Sequence, residues 1–153
     1  MSVTASAPHT DTPARLRAAL SRIHRRLRPT AAGTTAGLTP TRISLLNTIT
    51  RLGPIRLSEL AAEEGINPTM LSRIVGDLVP GGLIERVGDP HDRRAALVMV
   101  TREGRKLVER MRRERTDVLS VALSTLSPSE YRTLERALPA LERLAHELKE
   151  GRR

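Results

Sequence analysis

Cysteine, tryptophan and phenylalanine are absent from this sequence of 153 residues, and Tyr131 is its one aromatic residue apart from the histidines. Without cysteine the chain has no disulfide, no zinc finger and no thiol redox sensor. Proteins that bind single strands or RNA loops stack the bases on several aromatic side chains. Neither kind of nucleic acid is therefore an expected partner.

Long apolar runs are also missing. No stretch approaches the roughly 18 consecutive apolar residues of a membrane span. Residues 1–11 lack the hydrophobic region of a secretory signal peptide. We therefore expect a cytoplasmic protein with no membrane partner.

Catalytic patterns are equally scarce. His9, His24, His91 and His146 lie far apart in the sequence and have no metal-ligand spacing. No strained nucleophile turn and no glycine-rich phosphate loop frames a candidate nucleophile. We expect neither an enzyme nor a metal site nor a cofactor.

Positive charge is what the sequence has in excess, with 26 Lys+Arg against 17 Asp+Glu and a net charge of +9. An excess of this size indicates a polyanionic partner, and nucleic acid is the usual one. An arginine-rich composition also fits a GC-rich genome. Individual arginines therefore count as evidence only where they stand in a motif.

Capping residues followed by proline mark four predicted helix starts, at Thr12-Pro13, Thr39-Pro40, Asn67-Pro68 and Ser127-Pro128. In chain order the sequence predicts a disordered arm (1–11), a helix (13–28), a loop (30–38), a helix (40–52), two short helices (57–79), strands (83–87 and 97–100), a helix (101–123) and a last helix (128–149) bent at Pro139. This order predicts one mainly α domain over 12–149 with a small β-hairpin.

Residues 57–79 carry the pattern of a helix-turn-helix. Ala61 lets two helices approach, and Gly65 tolerates the positive φ of a sharp turn. The second helix buries its apolar stripe, and its N-terminus near Asn67 favours phosphate. Its outward face suits base edges and phosphates, and consists of Thr69, Met70, Ser72, Arg73 and Asp77. Asp77 is the one acidic residue on this face, and an acid does not suit contact with phosphate. It either pairs with an arginine or disfavours binding to incorrect DNA sequences. An ordinary helical hairpin is the alternative.

The charged segment between the two predicted strands has the features of a DNA-binding wing. Asp92 and Arg94 project from one face of an extended chain, so Asp92 can orient the guanidinium of Arg94. An arginine on a narrow hairpin fits the negative potential of the minor groove. A solvated charged loop is the alternative.

Residues 89–94 (DPHDRR) and 100–104 (VTREG) resemble the signature of the MarR family of bacterial regulators. Residues 57–61 (LSELA), 71–73 (LSR) and 82–86 (GLIER) match that family in order and spacing. Pro80-Gly81 departs from the charged residues usual there, and Val100 replaces the more frequent leucine.

The resemblance implies a homodimer of winged helix-turn-helix lobes, each lobe formed by about 39–101 and joined through dimerisation helices at about 12–28 and 102–149. It implies a sequence-specific regulator on double-stranded DNA, with the recognition helix in the major groove and the wing in the minor groove of a pseudo-palindromic operator. A repressor is expected, and the sequence leaves activation open. The DNA-binding residues are then Ser58, Asn67, Pro68, Thr69, Met70, Ser72, Arg73, Arg86, Asp92, Arg93 and Arg94.

Apolar seams on the first and last helices support the homodimer. They comprise Leu16, Leu20, Ile23 and Leu27 on one helix and Tyr131, Leu134, Leu138, Leu141, Ala145 and Leu148 on the other. The alternative is that the two seams pack on each other within one chain.

Three further possibilities stay open. His24 and Arg25 are candidates to line a pocket for a small-molecule effector of unknown identity, although solvent-facing positions are the plainer interpretation. The lobe could instead be a winged-helix protein-interaction module, or a sequence-neutral architectural DNA-binding protein.

Overall fold

The computed structural model describes residues 11–90, 92 and 96–150. Its elements are α1 (Thr12–Leu27), α2 (Ala31–Thr35), α3 (Pro40–Leu52), β1 (Ile55–Arg56), α4 (Leu57–Glu64), α5 (Pro68–Leu78), β2 (Ile84–Gly88), β3 (Ala96–Val100), α6 (Arg102–Leu123) and α7 (Pro128–Glu150). The mainly α fold with a small sheet is confirmed. The chain forms two compact units, one up to Arg115 and one from Thr116. The single domain over 12–149 stays a prediction, as does the arm, whose residues 1–10 lie outside the described ones.

The first unit contains a three-stranded antiparallel sheet in the order β1-β3-β2. β2 pairs with β3 from Ile84 opposite Val100 to Gly88 opposite Ala96, which confirms the predicted hairpin. β1 was not predicted, because two residues are too few to show the alternation of a strand. The core that joins this sheet to α3, α4, α5 and the start of α6 consists of Leu45, Leu46, Ile49, Ile55, Leu60, Ala61, Leu71, Ile74, Val75, Leu78, Ile84, Val98, Val100, Leu107, Val108 and Met111.

Side-chain caps begin α3 and α5 as predicted. Thr39 Oγ1 accepts a hydrogen bond from the backbone N of Arg42 at 3.4 Å. Asn67 Oδ1 accepts one from the backbone N of Thr69 at 2.8 Å. Each cap satisfies a backbone donor that the first turn of a helix cannot pair.

The two outer helices differ in how they begin. At α7 the predicted capping box is present: Ser127 Oγ accepts from Glu130 N at 3.3 Å, and Glu130 Oε2 accepts from Ser127 N at 2.9 Å. Hydrogen bonds from the hydroxyl and then the backbone of Ser127 hold the pKa of Glu130 below its ordinary value. At α1 the predicted cap at Thr12 is wrong, because Asp11 occupies that position and makes no side-chain cap hydrogen bond.

The loop predicted over 30–38 is wrong in part, because it contains the helix α2. Thr30 Oγ1 accepts from Gly33 N at 3.2 Å, and Glu114 Oε1 accepts from Ala32 N at 3.1 Å. A helix of five residues is too short to show helical periodicity in the sequence.

Pro139 and Pro80 differ in their effect on the helices. α7 runs unbroken through Pro139, and the bend at that residue stays a prediction. α5 ends at Leu78, before Pro80. Proline has no N–H for the helical hydrogen-bond ladder, which accounts for the end of α5 close to residue 80.

The first turn of α6 packs directly on the backbone that precedes β2. Thr101 N donates to the Leu83 carbonyl at 3.1 Å. Thr101 Oγ1 donates to the Gly82 carbonyl at 2.6 Å and accepts from Gly104 N at 3.0 Å. A Cβ at Gly104 would overlap the carbonyl oxygen of Leu83. Only glycine therefore fits at position 104.

We expect Gly104→Ala to lower the free energy of unfolding by about 1–3 kcal/mol, the usual cost of forcing extra volume into packed structure. Gly76→Ala in α5 is the matched control, because nothing lies within 4 Å of an added Cβ there. This control should raise the free energy of unfolding by about 0.5–1 kcal/mol. Urea titrations at one protein concentration measure both, since association shifts the midpoint. Equal midpoints for the two variants would contradict the packing account.

Candidate nucleic-acid interface

The turn between α4 and α5 has the geometry of a helix-turn-helix. Gly65 adopts φ 62° and ψ 32°, the left-handed conformation that glycine takes at least cost. Ile66 N then donates to the Ala61 carbonyl at 3.0 Å. Leu60 and Ala61, in the middle of α4, are buried. The predicted positive φ of Gly65 is confirmed, and the role of Ala61 in the approach of the two helices stays a prediction.

The outward face of α5 is open to solvent. Its inward side chains are buried, at Leu71, Ile74, Val75 and Leu78. The residues predicted to face DNA are exposed, at Asn67, Pro68, Thr69, Met70, Ser72 and Arg73. Within the described ranges Arg73 makes no ion pair. The guanidinium is thus available to a ligand outside the protein.

Asp77 is the one acidic side chain on that face, and it pairs with an arginine. Arg42 Nη2 donates to Asp77 Oδ2 at 2.5 Å, which links α3 to α5. The first of the two possibilities predicted for Asp77 is therefore the observed one. Arg42 was missed, because the pair spans 35 positions of the sequence.

The other predicted contact residues lie on α4, on β2 and beyond β2. Ser58 is exposed in the first turn of α4, and Arg86 is exposed on β2 opposite Val98. Asp92 is exposed. Arg93 and Arg94 lie outside the described residues, so the contact between Asp92 and Arg94 stays a prediction.

A charge pair at the base of the wing was not predicted. Arg56 Nε and Nη2 donate to Oδ2 of Asp89 at 2.9 and 2.6 Å. The hydrogen bond and the charge of Asp89 raise the pKa of Arg56 above its ordinary value. A buried carboxylate, such as that of Asp89 directly after β2, needs a charged or hydrogen-bonding partner. The sequence alone does not show that Asp89 is buried.

The two apolar seams remain exposed in the units to which they belong. On α1, Leu20 and Ile23 are exposed and Leu16 and Leu27 are half-buried. On α7, the exposed members are Tyr131, Leu134, Leu138, Ala145 and Leu148, and Leu141 is half-buried. Exposed apolar stripes of this length are typical of surfaces that a partner covers.

A cavity of about 670 Å³ lies in the first unit and is lined by residues of α1, α2 and α3 with their connections and by Arg115. We name it the α1–α3 cavity. His24 and Arg25, the predicted effector candidates, both line it although both are also exposed. Its other lining residues are Leu27, Arg28, Pro29, Thr30, Thr34, Leu38, Pro40, Ile43, Ser44 and Asn47. The lining thus combines basic and apolar side chains and includes no acidic one.

The described residues lack the features of two other classes of protein. Among the described helices, none combines the length and apolar character that crossing a membrane requires. No group of three acidic or histidine side chains within residues 11–90, 92 and 96–150 could hold a metal ion.

Known proteins resemble this chain in sequence and in fold. Residues 38–96 match the model of the MarR family. An uncharacterized HTH-type transcriptional regulator of Mycobacterium bovis is 32% identical over 141 residues, 90% of this chain and 97% of the relative. The crystal structure of RV1404 from Mycobacterium tuberculosis has a TM-score of 0.79 at 25% identity, over 92% of this chain and 97% of its own. An S. aureus MepR mutant bound to an oligodeoxyribonucleotide has a TM-score of 0.66 at 17% identity, over 88% and 97% of the two chains, a likeness of fold alone.

Proposed function

Because the chain belongs to the MarR family, we propose that it is a sequence-specific regulator that binds double-stranded DNA as a homodimer and represses transcription. The observation that carries this function is the outward face of α5, where Thr69, Met70, Ser72 and Arg73 are all exposed. Short polar side chains, and an arginine that has no ion-pair partner among the described residues, suit the base edges of the major groove. The S. aureus MepR mutant, which has a similar fold, was solved with an oligodeoxyribonucleotide, and this favours DNA as the partner.

The wing is the second contact in this function. Arg94 enters the minor groove, with Asp92 holding its guanidinium, and Arg86 and Arg93 contact phosphates beside it. Narrow minor grooves attract arginine through their negative potential. The major-groove contact of α5 and the minor-groove contact of the wing then define one half-site.

We expect Arg73→Ala to weaken binding to a specific duplex by about 10–100-fold, the loss typical of a base contact. Random-sequence duplex should lose less than about threefold, because one phosphate contact carries little of the total. The specific probe is the tightest duplex that the wild-type protein selects from a random library. Arg136→Ala is the matched control, an exposed arginine on α7.

If Arg73→Ala weakens binding to both probes equally, Arg73 is a phosphate contact. The slope of the logarithm of the binding constant against the logarithm of the salt concentration should then be shallower by about one unit. The same two probes separate the alternative functions. A protein-interaction module binds neither duplex, and an architectural protein binds both with similar affinity.

The homodimer supplies the second half-site of a pseudo-palindrome. The seams on α1 and α7 expose apolar side chains of the a/d type, such as Ile23 and Leu138. A two-fold axis through them presents two α5 helices about one helical turn apart, as a palindrome requires.

We expect the full-length protein to sediment at twice the chain mass of 16.9 kDa. Leu138→Glu places a charge in the seam and should shift the protein towards one chain mass, with at least about tenfold weaker operator binding, since half-sites alone bind poorly. Ala140→Glu, at an exposed position two residues on, is the matched control and should remain dimeric. If the seams instead pack on each other within one chain, Leu138→Glu will lose helical circular dichroism without a change of assembly. A wild-type monomer that binds a full palindrome with unit stoichiometry would rule out the dimer.

We also propose that the α1–α3 cavity binds a small organic anion as effector. Arg25, Arg28 and Arg115 supply positive charge, while the apolar part of the lining includes Ile43. Guanidinium groups bind carboxylates with two parallel hydrogen bonds. A carboxylate on an aliphatic body suits this combination of side chains.

Octanoate and octanol test this effector class, because the two ligands share an aliphatic chain and differ in charge. We expect octanoate to stabilise the protein by about 1.4 kcal/mol at ten times its dissociation constant, and octanol to have a smaller effect. Arg25→Gln should reduce the stabilisation by octanoate. Arg22→Gln, also exposed on α1 but outside the cavity lining, should not. Thermal unfolding of all three proteins measures this, and equal stabilisation by both ligands would contradict an anion site.

A further inference from the structure

Arg56 lies at the junction of three parts of the DNA-binding lobe. It is the last residue of β1, opposite Leu97 of β3, and it directly precedes α4. Its backbone N donates to Glu59 Oε2 at 3.3 Å, in the first turn of that helix. The backbone of Arg56 is therefore fixed relative to both the sheet and the helix-turn-helix.

The side chain of Arg56 reaches the start of the connection between β2 and β3. Both of its hydrogen bonds end on one oxygen, Oδ2 of Asp89, the residue that follows β2. The Asp89 side chain is 5% exposed and that of Arg56 is 42% exposed. A carboxylate buried to this degree needs a charged or hydrogen-bonding partner. The contact therefore ties the side chain of Arg56 to the point where the chain leaves β2.

A second acidic residue of the wing acts on the same guanidinium. The charge of Asp92 adds to that of Asp89 in raising the pKa of Arg56, and contributes less than Asp89 does. Asp92 is the residue that the sequence predicts to orient Arg94. Both described acidic residues of the wing thus favour the charged form of Arg56, and the hydrogen-bonded contact is the one with Asp89.

A second ion pair of the same lobe provides a comparison. Arg51 Nη2 lies 2.8 Å from Glu63 Oε1, and the two side chains are 48% and 33% exposed. Exposed pairs of this kind usually contribute little. The pair of Arg56 differs because its acid is buried, and because it joins the wing to α4 rather than one helix to the next.

We propose that Arg56 is a positioning residue for the wing, whose two hydrogen bonds to Asp89 fix the start of the β2–β3 connection relative to α4. The wing and α5 then meet one duplex in a fixed register. Arg56 acts through Asp89 and not on DNA. This role rests on the proposed function, because it requires that the wing contact DNA.

Arg56→Gln tests this role, with Arg51→Gln as the matched control. Each variant removes one guanidinium from an ion pair of the lobe and changes the net charge equally. The probe is the tightest duplex that the full-length wild-type protein selects from a random library. We expect Arg56→Gln to weaken binding by about tenfold, within the range of one lost DNA contact, and Arg51→Gln by less than about twofold.

Two further measurements separate positioning from a general effect on the fold. In an Arg94→Ala background, Arg56→Gln should weaken binding to the selected duplex by less than about twofold. The reason is that the effects of two residues that act through one contact are not additive. Without DNA, hydrogen exchange in the peptide over residues 86–97 should be faster in Arg56→Gln than in Arg51→Gln. Base substitutions where α5 binds should weaken DNA binding by Arg56→Gln as much as they weaken binding by the wild type. Replacing an A-tract with G·C pairs where the wing binds should weaken binding by Arg56→Gln less than binding by the wild type.

The outcomes for Arg56→Gln and Arg94→Ala distinguish failure of the positioning role from failure of the proposed function. Equal losses from Arg56→Gln in the wild-type and Arg94→Ala backgrounds would overturn the positioning role, as would exchange and binding like those of Arg51→Gln. In both cases an effect of Arg94→Ala alone would leave the proposed function intact. If Arg94→Ala itself leaves binding unchanged, the wing contact of the proposed function is wrong and the role of Arg56 fails with it.

Discussion

The close approach of α6 to the backbone of Leu83 is the constraint from which the arrangement of the first unit follows. Thr101 can hydrogen-bond there only because Gly104 leaves room for the Leu83 carbonyl. The same contact brings Leu107, Val108 and Met111 into the core beneath the sheet. One turn beyond Met111, the Glu114 carboxylate accepts hydrogen bonds from the backbone N of Ala32. A single helix therefore supports the β-hairpin at its start and α2, with the lining of the α1–α3 cavity, farther along.

α3 has a comparable role for α5. It contributes Arg42 to the ion pair with Asp77 of α5, while Ser44 Oγ donates to Glu64 Oε2 at 2.9 Å and Thr48 donates to the same carboxylate. Glu64 is the last residue of α4, next to the turn that sets the direction of α5. Ser44 also lines the α1–α3 cavity. A ligand in that cavity would thus contact the element that holds the turn between α4 and α5 and the C-terminal end of α5. An effector shifts a conformational equilibrium when it contacts one of the two states better than the other.

Local chemistry accounts for what the sequence could predict. The caps at Thr39, Asn67 and Ser127 and the buried stripe of α5 depend on residues within one or two helical turns, which a single sequence displays. β1 and α2 escaped prediction because two and five residues carry no periodicity. The pairs Arg42–Asp77 and Arg56–Asp89 escaped it because they join residues 35 and 33 positions apart. Such pairs exist only once the core has brought their elements together, so the outward face of the site was predictable and its supports were not.

The arginines of the lobe separate by function once their partners are known. Arg42, Arg51 and Arg56 are paired with acidic side chains of the same unit. Arg73 and Arg86, on the contrary, make no ion pair within the described residues. A net charge of +9 attracts polyanions in general. It does not by itself select one nucleic-acid sequence over another. In the proposed function, the arginines without an ion pair among the described residues contact DNA, and the arginines fixed in ion pairs hold the elements that present them.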